Sequence, residues 1–311
     1  MSISYKVSKF LWQQTWFSPR YGKALYKKIC AEDSAPSFPF STDFFGLKYQ
    51  GNLNNSIEFN IYYYGAFEKP LLYFLRDTLQ NLPEKDSVFC DIGANIGQHS
   101  LFMCKYAREV HAFEPFQLVS DSLRKQIELN QIENIHIHDV GLSNDNEQKT
   151  FFAPTGRNQG IGSFDASTVT KGNQPIGELT LVRGDDFFQK MQLSSIALMK
   201  IDVEGFEKLA LKGLQQTLGD NRPIVVCEIT YGKDLSFTGL EEIKQHLPAD
   251  YELFTFDTRK ADGSKARRRG AKAKRTGCYQ LIPFDFRLTL GQDDIVACPS
   301  ELLEFLPKTN L

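Results

Sequence analysis

The chain is 311 residues long, 41% hydrophobic and 24% charged, with 36 Lys or Arg against 38 Asp or Glu and a formal net charge of −2. This is the balance of an ordinary globular protein. No apolar run reaches the length of a membrane span, and the N-terminus lacks the apolar core and cleavage site of a signal peptide, so neither a spanning nor an exported chain is expected. Six cysteines (Cys30, Cys90, Cys104, Cys227, Cys278, Cys298) form no C-x-x-C pair. Cys90, Cys227 and Cys298 lie in apolar strand-like runs, where a thiol behaves as a small hydrophobe, so a reducing, cytoplasmic compartment is expected.

Residues 5–30 mix Tyr5, Phe10, Trp12, Trp16, Phe17, Tyr21 and Tyr26 with Lys and Arg. Broken at Ser18 and Pro19, they predict one or two short amphipathic helices. Packing on the body or on another subunit outranks a peripheral membrane anchor. Ala31 to Pro39 has linker composition. Phe44 to Gln50 and Ser56 to Tyr62 predict two strands around a turn at Gly51 to Asn55, and Phe67 to Leu79 has helical spacing up to Leu82 and Pro83. Residues 1–40 are thus expected as a helical extension and linker, 41–86 as a β-hairpin and helix lid, and 87–311 as the main domain.

From Ser87 short apolar runs alternate with helical stretches. Strands are predicted at 88–91, 110–114, 135–139, 196–202, 223–229, 251–256 and 293–298. Helices are predicted at 97–107, 116–130, 206–218 and 238–247, with a further apolar run at 278–284. This alternation predicts an α/β fold, a doubly wound, mostly parallel, seven-stranded sheet covered on both faces. No internal repeat is present.

The stretch from Val88 to Ser100 carries the densest signal. A strand ends at Asp91, Gly93 and Gly97 frame a turn, and helical spacing follows, so backbone N–H groups converge on a ligand position. A dinucleotide fingerprint would need glycines where Asn95 and Gln98 stand. A carboxylate at Asp91 repels pyrophosphate and suits a ligand with an ammonium and a sulfonium, which describes S-adenosylmethionine. Acids close the other strands too: Glu114, Asp139, Asp202 followed by Glu204, and Glu228. Five in succession predict a negative pocket for a cationic ligand. Glu114 stands 21 residues after Gly93, the spacing at which an acid accepts both ribose hydroxyls. Asp139, with the backbone of Val140 and Gly141, is placed to meet the adenine edge. Asp91, with the Gly93, Ala94, Asn95 and Gly97 backbone, is placed for the methionyl end. The competing reading of each acid is a helix cap or first-turn charge, and it weighs most for Glu204 and Glu207.

These motifs resemble the FkbM family of S-adenosylmethionine-dependent methyltransferases over roughly residues 44–298. The carriers are the segments Asp91 to Gly97, Phe113 to Pro115, Gly141 to Asn144, Gly184 to Phe187 and Lys200 to Glu207. The last, reading Lys-x-Asp-x-Glu-Gly-x-Glu, is the most distinctive. Tyr64 to Glu68 matches the family segment that precedes the cofactor fold and closes over it. The resemblance implies a class I, Rossmann-like domain holding S-adenosylmethionine through Glu68, Asp91, Glu114, Pro115, Asp139, Gly141 and Asp202. It also implies an O-methyltransferase acting on a sugar, glycolipid or secondary metabolite. Gln98 and His99 depart from the usual family pattern.

For the chemistry, the candidates are Asp202, Glu204 and Glu228 as general base, with Lys200 as their partner, and Asp202 is preferred. Asp202, Glu204 and Glu228 also offer a magnesium set, but no metal is expected, and no histidine has metal-ligand spacing. Asn158 to Phe164 reads as a loop over the acceptor site. Residues 259–275 carry nine Lys or Arg against one Asp, while the remainder holds 27 basic and 37 acidic residues, a net −10. That basic loop supports rival readings, an RNA 2′-O-methyltransferase or a non-catalytic adaptor for nucleic acid or anionic membrane. Its lack of aromatic residues and the acidic body disfavour nucleic acid.

Overall fold

A computed structural model describes residues 6–7, 9–11, 14, 37–84, 86–154, 162–232, 237–260, 263–286 and 291–311. Most of the aromatic N-terminal segment, the linker up to residue 36 and residues 158–161 of the expected loop fall outside these.

Strands β1 (Pro39–Phe44) and β2 (Leu47–Asn52) form an antiparallel hairpin. Its turn residues Phe45 and Gly46 have φ of 52° and 90°, the left-handed pair that matches strand twist. The expected second strand at 56–62 is instead helix α1 (Ser56–Tyr64). Its β-branched and aromatic run favours a strand by propensity. The cap decides otherwise: Asn55 Oδ1 accepts from the N–H groups of Ile57 and Glu58 at 2.9 and 3.2 Å, and Gly65 ends the helix at φ 85°. Helix α2 (Lys69–Asn81) follows, with proline in its first turn.

The core then runs through β3 (Val88–Ile92), α3 (Gln98–Met103), β4 (Glu109–Phe113), α4 (Gln117–Asn130) and β5 (Ile135–His138). Next come β6 (Gly141–Ser143), β7 (Glu147–Pro154), β8 (Asn173–Arg183), α5 (Gly184–Met191), β9 (Ile196–Ile201), α6 (Glu207–Lys212) and α7 (Gln215–Asn221). The chain finishes with β10 (Ile224–Tyr231), α8 (Leu240–Gln245), β11 (Tyr251–Phe256), α9 (Arg267–Thr276), β12 (Leu281–Pro283) and β13 (Gly291–Pro299).

The main sheet has eight strands in the order β12-β11-β13-β10-β9-β3-β4-β5. The expected mostly parallel α/β sheet is present, and β12, from the apolar run at 278–284, adds the eighth strand. Strands β10, β9, β3, β4 and β5 are parallel, while β13 lies antiparallel between β10 and β11. The chain moves outward from β3 to β5 and returns on the other side at β9. The switch point therefore lies between the carboxyl ends of β3 and β9. Strands β6, β8 and β7 make a separate three-stranded sheet that sequence patterning did not indicate.

Period-two alternation assigns the faces. Phe89, Val110, Leu198 and Val226 share a core with hairpin and helix residues including Phe44, Tyr49 and Phe74. Val88, Cys90, Met199 and Val225 face Phe188, Leu211, Leu218 and Ile243. The outer edge of β2 is met by two amides one turn apart on α4. Gln126 Nε2 donates to Gln50 O at 2.7 Å and its Oε1 accepts from Gln50 N at 3.1 Å. Asn130 does the same with Lys48, both bonds at 2.8 Å.

Candidate functional site

The switch point is built on close backbone contact. Gly93 has φ 80°, and a Cβ there would stand 1.8 Å from the carbonyl oxygen of Asp202, so only glycine lets β3 and β9 end side by side. Asn95 is also left-handed, at φ 53°. Its N–H donates to Glu114 Oε2 at 2.9 Å, and the N–H of Phe116 donates to Oε1 at 3.0 Å. Glu114 is thereby fixed at the end of β4. Burial pushes its carboxyl up to about 7 against the pull of these two hydrogen bonds.

Beneath the turn lies a buried ionic cluster. Asp91 is fully buried, accepts from Ser100 Oγ at 2.6 Å, and stands 3.8 Å from Lys200 Nζ. Burial raises the Asp91 carboxyl, opposed by Lys200 and Ser100. Lys200, itself only 3% exposed, reaches Asp202 Oδ2 at 3.1 Å. Burial alone would lower this lysine, but Asp202, Asp91 and Glu68 together hold it above its usual range, so it stays charged. Lys200 thus ties the acid of β3 to the acid after β9.

The remaining acids separate into two kinds. Glu207 is buried, and its Oε1 accepts from the N–H groups of Val203 and Gly205, both at 3.0 Å. It caps the turn that carries Glu204, which has φ 53°, and Gly205, at φ 105°. Burial lifts Glu207 to about 7. Glu228 accepts from Gln292 Nε2 at 2.8 Å and is raised by burial, Asp202 and Asp294. Asp294 pairs in register with Glu228 across β10 and β13, and burial with Asp202 lifts it to about 7. Sequence reading missed Asp294, because it sits on an antiparallel strand, where the strand-end rule does not apply. Its only signal was an Asp pair opening an otherwise apolar run.

The 65–68 segment is clamped over the turn. Gln98 Oε1 accepts from Phe67 N at 2.6 Å, and Gln98 Nε2 donates to Phe67 O at 3.0 Å. Glu68, left-handed at φ 45°, lies 3.8 Å from His99 Nε2. Enclosure, Asp294 and Asp202 raise Glu68 to about 8, while burial and Lys200 keep His99 well below its ordinary value and neutral.

These groups surround a cleft of about 300 Å³. Of the expected residues, Glu68, Gly93, Ala94, Asn95, Glu114, Pro115, Gly141, Lys200, Asp202, Glu204 and Glu228 line it. Asp91 lies below the cleft, and Gly97 supports the turn, where a Cβ would strike Leu123 at 2.4 Å. Asp139 and Val140 lie outside the lining: the Asp139 carboxylate is held by Arg124 at 2.5 Å and Ser120 Oγ at 2.9 Å. The apolar end was not foreseen. Phe116, Phe151, Phe164 and Phe206 form a chain of rings with successive centroids 5.4, 5.0 and 5.3 Å apart. Phe151 comes from β7, and Gly162 makes room for its ring. Ser163 and Phe152 exchange two backbone hydrogen bonds of 2.9 Å, which seats the described end of the loop over the cleft.

Sequence spacing offered Asp202, Glu204 and Glu228 as a magnesium set and gave no histidine a ligand role. Pairing of β4 with β5 nonetheless brings ligand atoms of Glu109, His111 and His136 within 4.8 Å of one another, and those of Asp202, Glu207 and Glu228 meet the same limit. His111 Nδ1 also lies 2.9 Å from His138 Nε2.

A doubly wound sheet with an inserted antiparallel strand, and a glycine turn facing a ring of carboxylates at its switch point, define a class I methyltransferase fold. The chain belongs to the FkbM family of S-adenosylmethionine-dependent methyltransferases. The family model for the methyltransferase FkbM domain matches residues 91–255. Among curated relatives, Methyltransferase 1 of Beauveria bassiana is 29% identical over 163 residues, covering 46% of this chain and 66% of that protein. The hexuronic acid methyltransferase AglP of Haloferax volcanii is 30% identical over 154 residues, covering 49% of this chain and 59% of that protein. The match thus spans about three fifths to two thirds of these relatives' lengths. A crystal structure of methyltransferase FkbM from Methylobacillus flagellatus aligns with a TM-score of 0.40 at 15% identity, over 68% of this chain and 44% of that one.

Proposed function

We propose that the protein transfers a methyl group from S-adenosylmethionine to a hydroxyl of a small-molecule or glycan acceptor. The carrying observation is the convergence of Glu114, Asp202, Glu204 and Glu228 on one cleft beside the Gly93 to Asn95 turn. The donor set fits the cofactor. Glu114 receives one backbone hydrogen on each oxygen, which leaves acceptor capacity for ribose hydroxyls. Phe116, Val119, Leu142 and Phe151 give the same cleft an apolar end suited to adenine. The carboxylates at the other end suit an ammonium and a sulfonium.

Bound S-adenosylmethionine supplies an electrophilic methyl on sulfonium and leaves as S-adenosylhomocysteine. The protein must then align the acceptor oxygen and take its proton. Alignment supplies most of the rate. Asp202 is assigned the proton: it lines the cleft at the end of β9, and Lys200 fixes its carboxylate from below. The sugar acceptor is supported by the name of the Haloferax relative. Asp202→Asn is expected to leave S-adenosylhomocysteine affinity by titration calorimetry within two-fold while turnover falls by about 10²–10⁴. Unchanged turnover removes Asp202 from the chemistry, and absence of any calorimetric signal in the parent protein overturns the cofactor.

A further inference from the structure

A second cavity, of about 370 Å³, lies between the start of α2, strands β11 and β13, and the basic helix α9. Glu68 lines both this cavity and the cleft, so the two spaces share a wall. Asp294 lines the second cavity, and its charge acts on Glu68. Leu71, Phe256 and Tyr279, all buried, give it an apolar wall, and Asp257, Thr258 and Gln280 add polar groups. An aromatic wall beside carboxyl groups is the chemistry that grips a hydroxylated ring.

Helix α9 covers the cavity through Arg269, Gly270, Lys272 and Ala273. It has six basic residues and no acid. The basic stretch is thus partly a packed helix rather than a loose loop. Arg269 pairs with Asp257, Lys274 sits 4.2 Å over the Tyr64 ring, and Arg275 donates to Gln14 O at 3.1 Å. Among the described residues, Arg267, Arg268 and Lys272 have no ion pair. Of these three only Lys272 lines the cavity, so its charge is the one left to meet an anion bound there. The remainder of the chain is acidic and would repel such an anion elsewhere.

We propose that this cavity is the methyl-acceptor site and that α9 selects a hydroxylated acceptor bearing a carboxylate or phosphate, with its hydroxyl at the Glu68 wall and its negative charge at Lys272. The assignment rests on the methyltransferase reading above. A substrate in the second cavity reaches the cofactor cleft at the shared Glu68 wall, where Asp202, whose charge acts on both Glu68 and Asp294, stands on the cleft side to take the proton of the reacting hydroxyl.

The test uses the full chain, labelled S-adenosylmethionine and three probes: glucuronic acid, glucose 6-phosphate and glucose. At least one anionic sugar is expected to exceed glucose in kcat/KM by about ten-fold or more, and Lys272→Glu to remove that preference through KM. Gly270 lines the cavity from within a helix, and a Cβ added there would meet nothing within 4 Å, so Gly270→Trp adds bulk at this wall without a backbone clash. It is expected to abolish transfer while S-adenosylhomocysteine still binds with parental affinity. Equal use of glucose, full activity of Gly270→Trp, or no transfer to any probe by a protein that binds S-adenosylhomocysteine overturns the acceptor assignment. So does salt-dependent methylation of RNA in place of the sugars. Failure to bind S-adenosylhomocysteine strikes at the methyltransferase reading instead.

Discussion

Lys200 is the side chain whose loss would spread furthest. It is buried with two carboxylates within 4 Å, one of them fully enclosed. Removing one partner of such a cluster leaves an uncompensated charge. Lys200→Met is therefore expected to cost about 3–5 kcal/mol in urea unfolding, with part recovered in the Lys200→Met, Asp91→Asn double variant. Additive losses in the double variant would show that the two do not act together. Glu114 and Asp202 were legible because a parallel strand brings the residue after it to the cleft edge, whereas Asp91, one residue short of the end of β3, is buried beneath that edge. The same rule overreached at Asp139, which turns to Arg124 on α4. Phe151 was invisible to it, because its place over the cleft depends on a sheet whose pairing no local pattern announced.

Among elements, the contest over residues 56–64 shows what local propensity cannot decide. Ser56 to Tyr62 read as strand, yet Asn55 caps them into a helix, and Glu58 turns back to the N–H of Asn52 at 2.8 Å. Asn55→Ala is expected to destabilise the protein by about 1 kcal/mol in thermal or urea unfolding, and an unchanged midpoint would mean the cap is dispensable. The parallel strands could be read from apolar runs because both their faces are buried. Strand β8 is exposed over much of its length, so it has no apolar alternation to read. Gln98 likewise looked only like a departure from the family pattern. Its amide proves to hold both backbone groups of Phe67.

For the whole molecule, the gathered acids set a pH dependence. Glu114 and Glu207 are raised to about 7 and Glu68 to about 8 from 4.5, and Asp294 to about 7 from 3.8. These four groups bind more protons in the folded chain than in the unfolded chain between these values, while His99, His111 and His138, held below their ordinary value by burial, bind fewer below about 6.5. The stability the four acids contribute is complete below their unfolded values and is lost as pH rises through 7 to 8. Above about pH 6.5, where the histidines no longer oppose it, the Tm of the cofactor-free protein is therefore expected to fall up to about pH 8, and a rising Tm in that range would refute the enclosed-acid account. Binding of the cationic cofactor should release protons, read as a dependence of calorimetric heat on buffer ionisation enthalpy.

The amides of Gln126 and Asn130 imitate a neighbouring strand along β2. A docked helix thereby occupies the places where a foreign peptide would begin to hydrogen-bond. Two ordinary polar residues thus double as a guard against strand exchange between copies, and Gln126→Ala with Asn130→Ala should make the chain prone to assemble through its hairpin.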